Sequence, residues 1–123
     1  MTLAEQLPEG GTGVIATASG AGVPNAAIYA RPHVIDDETL AWGLTDSRTH
    51  ANLRENPRAA FLWLAPGRGF TGCRLALELL RFEESGPLLE EIRANTARLV
   101  SPAAAAAVKH VGYFRVVEIR PLI

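Results

Sequence analysis

Between residues 13 and 44 the chain alternates short extended runs with tight turns and leaves no room for a helix. Gly13–Ser19 (GVIATAS) reads as a strand closed by a Gly20-Ala21-Gly22 turn. Pro24–Tyr29 resumes as an extended run, and His33-Val34-Ile35 continues it past Pro32, a proline that marks a bend, bulge or edge. Asp36-Asp37-Glu38 makes the next turn, into Thr39–Leu44. Strands joined by turns this short pair antiparallel, so the N-terminal part is a β-meander.

The remainder fits around that meander. Thr2–Leu7 reads as a short helix with Thr2 as N-cap and Glu5 three residues later as its capping box, stopped by Pro8 and Gly10-Gly11. Ser47–Asn56 suits a helix started by Asp46 or Ser47 and stopped by Pro57. Arg58–Ala65 is nearly continuous in apolar residues, the pattern of a strand buried on both faces. Pro66–Gly69 is a loop, and Thr71–Glu83 a long strand. Gly86-Pro87 opens a helix from about Leu88 to Ala97, with Leu88, Leu89, Ile92 and Leu99 at helical spacing. Ser101-Pro102 starts a short alanine helix, and Gly112–Leu122 is the last strand. Six or seven strands with short helices at the start, middle and end predict a mainly-β domain spanning 1–123, an antiparallel Greek-key barrel rather than alternating βαβ units.

A chain of 123 residues is one domain's worth and buries roughly two-thirds of its unfolded surface. A net charge of −1 signals no basic face, so nucleic acid is not an expected partner. Cys73 is the only cysteine, which excludes an intrachain disulfide and points to a reducing, cytoplasmic setting. The first residues have no signal-peptide pattern, and no apolar run is long enough for a membrane span.

Several motifs carry less than they promise. Gly11-Thr-Gly13-Val-Ile-Ala16 matches G-x-G-x-x-A, with Asp36 and Asp37 about twenty residues on. That fingerprint works only where a strand precedes it and a helix follows. Here Gln6–Glu9 precede it and the β-branched Val14, Ile15 and Thr17 follow. No Walker A sequence is present, and His33, His50 and His110 have no metal-ligand spacing with acids or Cys73. Cys73 reads as a packing residue, and no Ser-His-Asp arrangement can be argued.

The informative stretch is Arg31–Leu64. It runs Arg31-Pro-His-Val-Ile, the acidic turn, and Leu40-Ala-Trp-Gly-Leu44-Thr45. Asp46-Ser47-Arg48-Thr49-His-Ala-Asn52-Leu53-Arg-Glu-Asn56-Pro57 follows, then Ala-Ala-Phe-Leu-Trp-Leu. This resembles the pyridoxamine-phosphate-oxidase-like family of FMN-binding split barrels, in length and in its Gly-Phe-Thr-Gly turn most like the small dimeric FMN-binding proteins. The resemblance covers most of residues 12–83. It implies a split β-barrel with non-covalent FMN between two protomers. Ala27, Ile28, Tyr29 and Ala30 then lie along the isoalloxazine edge, and Arg31 is a second phosphate contact. Leu44, Thr45, Ser47, Arg48, Thr49 and Asn52 complete the predicted cofactor site.

The chemistry of these residues agrees. A phosphate needs hydroxyls, helix N-terminal amides and a fork-shaped cation, and residues 45–52 carry all three within two turns. Taken alone, Ser47 reads as a plain helix cap and Arg48 as a solvated charge. Where many relatives carry two consecutive basic residues this chain has Arg48-Thr49, one charge fewer. The late Arg and His substrate motif of true pyridoxamine phosphate oxidases is missing, which argues against pyridoxal phosphate synthesis and leaves the substrate open.

A homodimer is expected, with Trp42, Phe61, Trp63, Phe70, Tyr113 and Phe114 as the apolar surface available to it, and with Arg68 and Phe70 as loop residues able to reach a partner's cofactor. Three functions compete: an FMN-dependent oxidoreductase or electron carrier needing no catalytic side chain of its own, a binding module for haem, a deazaflavin or another ligand, and a barrel kept only for interaction.

Overall fold

The computed structural model describes residues 1–123. Helix α1 (Leu3–Gln6) is followed by strands β1 (Thr12–Ala18), β2 (Pro24–Tyr29), β3 (His33–Asp36) and β4 (Thr39–Leu44). Helix α2 (Arg48–Glu55) leads to β5 (Arg58–Leu64) and β6 (Gly72–Glu83), then α3 (Pro87–Leu99), α4 (Pro102–Ala107) and β7 (His110–Pro121). No helix is long and apolar enough to cross a membrane.

All seven strands form one sheet in the order β2-β1-β5-β6-β7-β4-β3, with every neighbouring pair antiparallel. The outermost strands are β2 and β3, yet only Ala30, Arg31 and Pro32 join them. Three residues span on the order of 10 Å, so the sheet must curl until its two edges lie side by side. That curl without edge-to-edge pairing is the split barrel the sequence predicts. His33–Ile35 is therefore not the continuation of β2. It pairs with β4 at the opposite edge, His33 against Ala41 and Val34 against Leu40, because Arg31-Pro32 carries the chain across the gap.

The barrel interior is packed by Ile15, Leu40, Trp42, Leu44, Phe61, Trp63, Leu75, Leu77 and Phe114. The α1 helix plugs one end with Leu3 and Leu7, and α2 contributes Leu53. Thr2 caps α1 in the predicted capping box with Glu5, and Asp37 Oδ1 accepts from the Leu3 amide at 2.7 Å. Both indole N–H groups find partners, Trp63 on Pro8 O at 3.0 Å and Trp42 on Ala30 O at 2.9 Å. The second of these bonds ties the β2–β3 link to the barrel wall.

The glycines of the G-x-G-x-x-A sequence lie at and within β1, and their role is close packing. A Cβ on Gly11 would come within 2.7 Å of the Trp63 indole, and one on Gly13 within 2.5 Å of the Phe61 ring. Cys73 is buried, as expected of a packing residue, and burial pushes its thiol pKa up.

Two expectations about burial are corrected. The strand covered on both faces is β4, not β5. Leu40, Trp42 and Leu44 point into the barrel, while Ala41 packs with Leu89, Ile92, Val108, Val111 and Tyr113 beneath α3 and α4. Phe61 and Trp63 of β5 face inward, but Ala60 and Leu62 are exposed because no helix covers that side. The predicted aromatic surface is likewise mostly interior. Trp42, Phe61, Trp63 and Phe114 fill the barrel, Tyr113 is buried beneath the Arg81 guanidinium, and only Phe70 is largely exposed.

Candidate functional site

A concavity of about 530 Å³ lies between the free edge of the sheet and helix α3. One wall is β2 and the link after it, through Ala27, Ile28, Tyr29, Ala30 and Arg31. Trp42 and Gly43 of β4 form part of the lining, continued by Thr45, Ser47 and Thr49 at the start of α2. The facing wall is α3 and its exit, through Ile92, Asn95, Thr96, Leu99 and Val100, with Val108 beyond α4.

Each side has a local cause. As an edge strand, β2 bonds only to β1, so alternate amides and carbonyls along it have no partner in the sheet. Ser47 stays extended (φ −100°), and its Oγ accepts from the His50 amide at 3.3 Å. The Ser47 amide turns back to Thr45 O at 2.8 Å, which fixes the two residues as one tight bend. Helix geometry leaves the amides of the first turn without intrahelical acceptors, and Ser47 satisfies one of them. Burial raises the pKa of the Tyr29 phenol, against an opposing pull from the Thr49 and Ser47 hydroxyls beside it.

The other predicted site residues are placed differently. Arg31 lines the cleft, but its Nε donates to Leu7 O and its Nη2 to Ala4 O at 3.2 Å. It caps the carbonyl end of α1, and only Nη1 is uncommitted there. Arg48 is exposed at the first position of α2, outside the cleft lining. Leu44 is a core residue at 1% exposure. Asn52 is buried, and its Nδ2 donates to Thr17 Oγ1 at 3.1 Å, which binds α2 to β1 and takes the amide away from the cleft.

Two features escape sequence reasoning. Helical spacing locates α3 through Leu88, Leu89, Ile92 and Leu99, but gives no sign that Asn95 and Thr96 face β2 across a cleft. His50 and His110, unconnected by spacing, stack with ring centroids 3.8 Å apart and planes 9° apart. Nitrogens of both and a carboxylate oxygen of Asp46 lie within 4.8 Å of one another. His110 Nε2 meets Asp46 Oδ1 at 2.7 Å, and Nδ1 meets Glu84 Oε2. Lys109 Nζ reaches Asp46 Oδ2 at 2.9 Å.

Fold and cleft together define a seven-stranded split-barrel domain with a helix-walled groove at its free edge. More specifically, the chain belongs to the pyridoxamine 5'-phosphate oxidase family, whose model matches residues 2–122. No curated protein matches the sequence significantly. Among solved structures, an FMN-binding protein from Syntrophomonas wolfei is 21% identical over 90% of this chain and 76% of that one, with a TM-score of 0.79. HupZ of Group A Streptococcus is 22% identical over 99% and 94% of the two chains, also at 0.79. The flavin reductase of styrene monooxygenase from Pseudomonas putida is 13% identical over 96% and 83%, at 0.59. At these identities the likeness is one of fold.

Proposed function

We propose that this chain binds FMN non-covalently in the cleft, at the interface of a homodimer, and serves as a flavin-dependent oxidoreductase or electron carrier. The observation that carries the reading is the meeting of two different surfaces in one groove. The unpaired edge of β2 offers backbone donors and acceptors to a flat heterocycle, and the start of α2 offers amides and the hydroxyls of Thr45, Ser47 and Thr49 to a phosphate. Family membership and the flavin-reductase neighbour support a flavin in this cleft, and the FMN-binding neighbour suggests which one.

The residues fit such a group. Ser47 and Thr49 would hold the phosphate with the first-turn amides, Arg48 would swing in from solvent, and Arg31 would add Nη1 while keeping α1 capped. Ala27–Ala30 would hydrogen-bond the ring edge through the backbone and tune its potential. FMN itself would supply the hydride or electron chemistry, so these side chains need only bind, orient and exclude water.

The dimer has support in the register of the sheet. On the outer face Ile28, Val14 and Leu62 stand side by side across β2, β1 and β5. Ala26, Ala16, Ala60 and Ala76 form the next row, from β2 to β6. Ile28 is 72% exposed and also lines the cleft. A second copy seated on this patch would therefore wall in the groove.

The test is to add equimolar FMN, remove free flavin by gel filtration, and record the visible spectrum and elution volume. Flavin absorbance co-eluting with a dimer is the expected result. Arg48→Ala should then weaken binding by about ten- to a hundredfold, the value of one charge-assisted bond. A colourless eluate and unquenched FMN would sink the cofactor assignment, and haem or a deazaflavin taken up in its place would redirect it.

A further inference from the structure

We propose that His110 is a positioning residue whose imidazolium clamps Asp46 to Glu84 and thereby holds the start of α2, which lines the cleft, to the turn that leads into its α3 wall. The significance for a ligand rests on the cleft being the binding site; the clamp itself does not. Asp46 sits between Thr45 and Ser47, both in the cleft lining. Glu84 sits in the turn from β6 into α3, whose Ile92, Asn95 and Thr96 line the opposite wall. His110, the first residue of β7, bonds to both, through Nε2 at 2.7 Å to Asp46 and through Nδ1 to Glu84.

The geometry specifies the protonation state. An ionised carboxylate only accepts hydrogen bonds, and a neutral imidazole has one donor nitrogen and one lone pair. Both contacts are attractive together only when both ring nitrogens carry protons. A neutral ring would aim a lone pair at one of the carboxylates and release it.

The surrounding groups favour a single cation on the ring pair. From the loop before α2 come Asp46, from the β6–α3 turn Glu84, from the residue before β7 Lys109, and from α2 His50 and Arg54. Lys109 and protonated His110 balance the two carboxylates. His50 is stacked on His110, with the Phe82 ring centroid 4.8 Å away; burial, then the charges of His110 and Arg54, pull its pKa below the usual range, so the cation is favoured on His110. Burial also pulls on His110, but its hydrogen bonds to Asp46 and Glu84 outweigh that and raise its pKa above 6.5. The carboxyl of Asp46 is lowered to about 2 by its hydrogen bonds to His110 and Lys109.

The sign follows. The folded His110 pKa lies above the unfolded value, so the clamp's contribution is complete below that unfolded value, near 6.5, and is lost as pH rises through the raised one. The Asp46 half is present above the unfolded value of 3.8 and lost as pH falls toward about 2.

Histidine NMR titration of the full chain without ligand tests this, together with FMN titrations across the same pH range. His110 should titrate above His50, and the backbone amides of Thr45, Ser47, Gly86 and Leu88 should shift at the His110 midpoint. Glu84→Gln should lower that midpoint and uncouple Gly86 and Leu88, while Asp46→Asn uncouples Thr45 and Ser47. FMN affinity should fall by about two- to fivefold as His110 deprotonates, the size of a partly exposed ion pair, and that His110-linked component should vanish in His110→Gln. A His110 midpoint at or below that of His50, or amides on either wall that ignore it, would overturn the clamp. Coupled amides in a protein that binds no FMN would leave the clamp standing and count against the cofactor instead.

Discussion

Asn52 shows how a side chain read as polar and helical can take a partner that its place on the helix does not reveal. Its place one turn after Arg48 puts it beside a phosphate on a helical wheel, but the barrel presents Thr17 to the same face and the amide binds there. Both partners are at 6% exposure or less. Asn52→Ala should therefore cost about 1–3 kcal/mol by stranding a buried hydroxyl, measured by urea denaturation. Thr17→Val should cost less than additively in the same background. A direct role for Asn52 at the phosphate would instead lower FMN affinity with stability unchanged. Ser47 is the contrasting case: its Oγ caps α2 and the residue lines the cleft, and the cap is legible from the Asp-Ser-Arg-Thr run.

At the scale of elements, what fixes the cleft is the contact between β4 and the α3–α4 pair. Gly43 is the closest point: a Cβ there would stand 2.7 Å from Ile92 Cγ2 and 3.0 Å from Val108 Cγ1. Gly43→Ala should destabilise the fold by about 1–3 kcal/mol through overpacking, and Ile92→Ala in the same chain should recover part of the loss. A thermal melt of the single and double variants decides it, and strict additivity would show that the methyl is accommodated elsewhere. Most of the strands, the caps at Thr2, Ser47 and Ser101, and the stop at Pro57 were legible, because each is written in neighbouring residues, whereas the break at Ala30–Pro32 that sends His33–Asp36 to the opposite edge was not. Which strand is covered twice was not. Ala59–Leu64 is the more apolar run, but the covering helices follow β6 in the chain and return over β4 and β7. Burial of β4 depends on residues more than forty positions away.

Taken as a whole, the molecule presents one unshielded side. Its aliphatic rows run across β2, β1, β5 and β6, edged by Arg74, Glu118 and Arg120. The charged pairs there, Arg58 with the half-buried Glu78 at 3.4 Å and the exposed Arg120 with Glu118 at 3.3 Å, add little stability of their own. They suit the polar rim of an interface better than its centre. Leu62→Glu, at the β5 end of the row it forms with Val14 and Ile28, should convert the proposed dimer to a monomer without unfolding the barrel, because Leu62 points away from the core. Sedimentation velocity with circular dichroism checks both halves; a dimer that persists would move the interface to another face.

The strand order has a consequence for how the protein is made. The last strand, β7, stands in the interior of the sheet, between β6 and β4. Until it emerges from a ribosome, β2-β1-β5-β6 and the β3–β4 hairpin are separate sheets, each with a raw edge where β7 belongs. Synthesis thus holds the chain open at its widest seam until β7 arrives. Its nascent form, with two vacant edges, is the state most exposed to chaperones and to wrong partners.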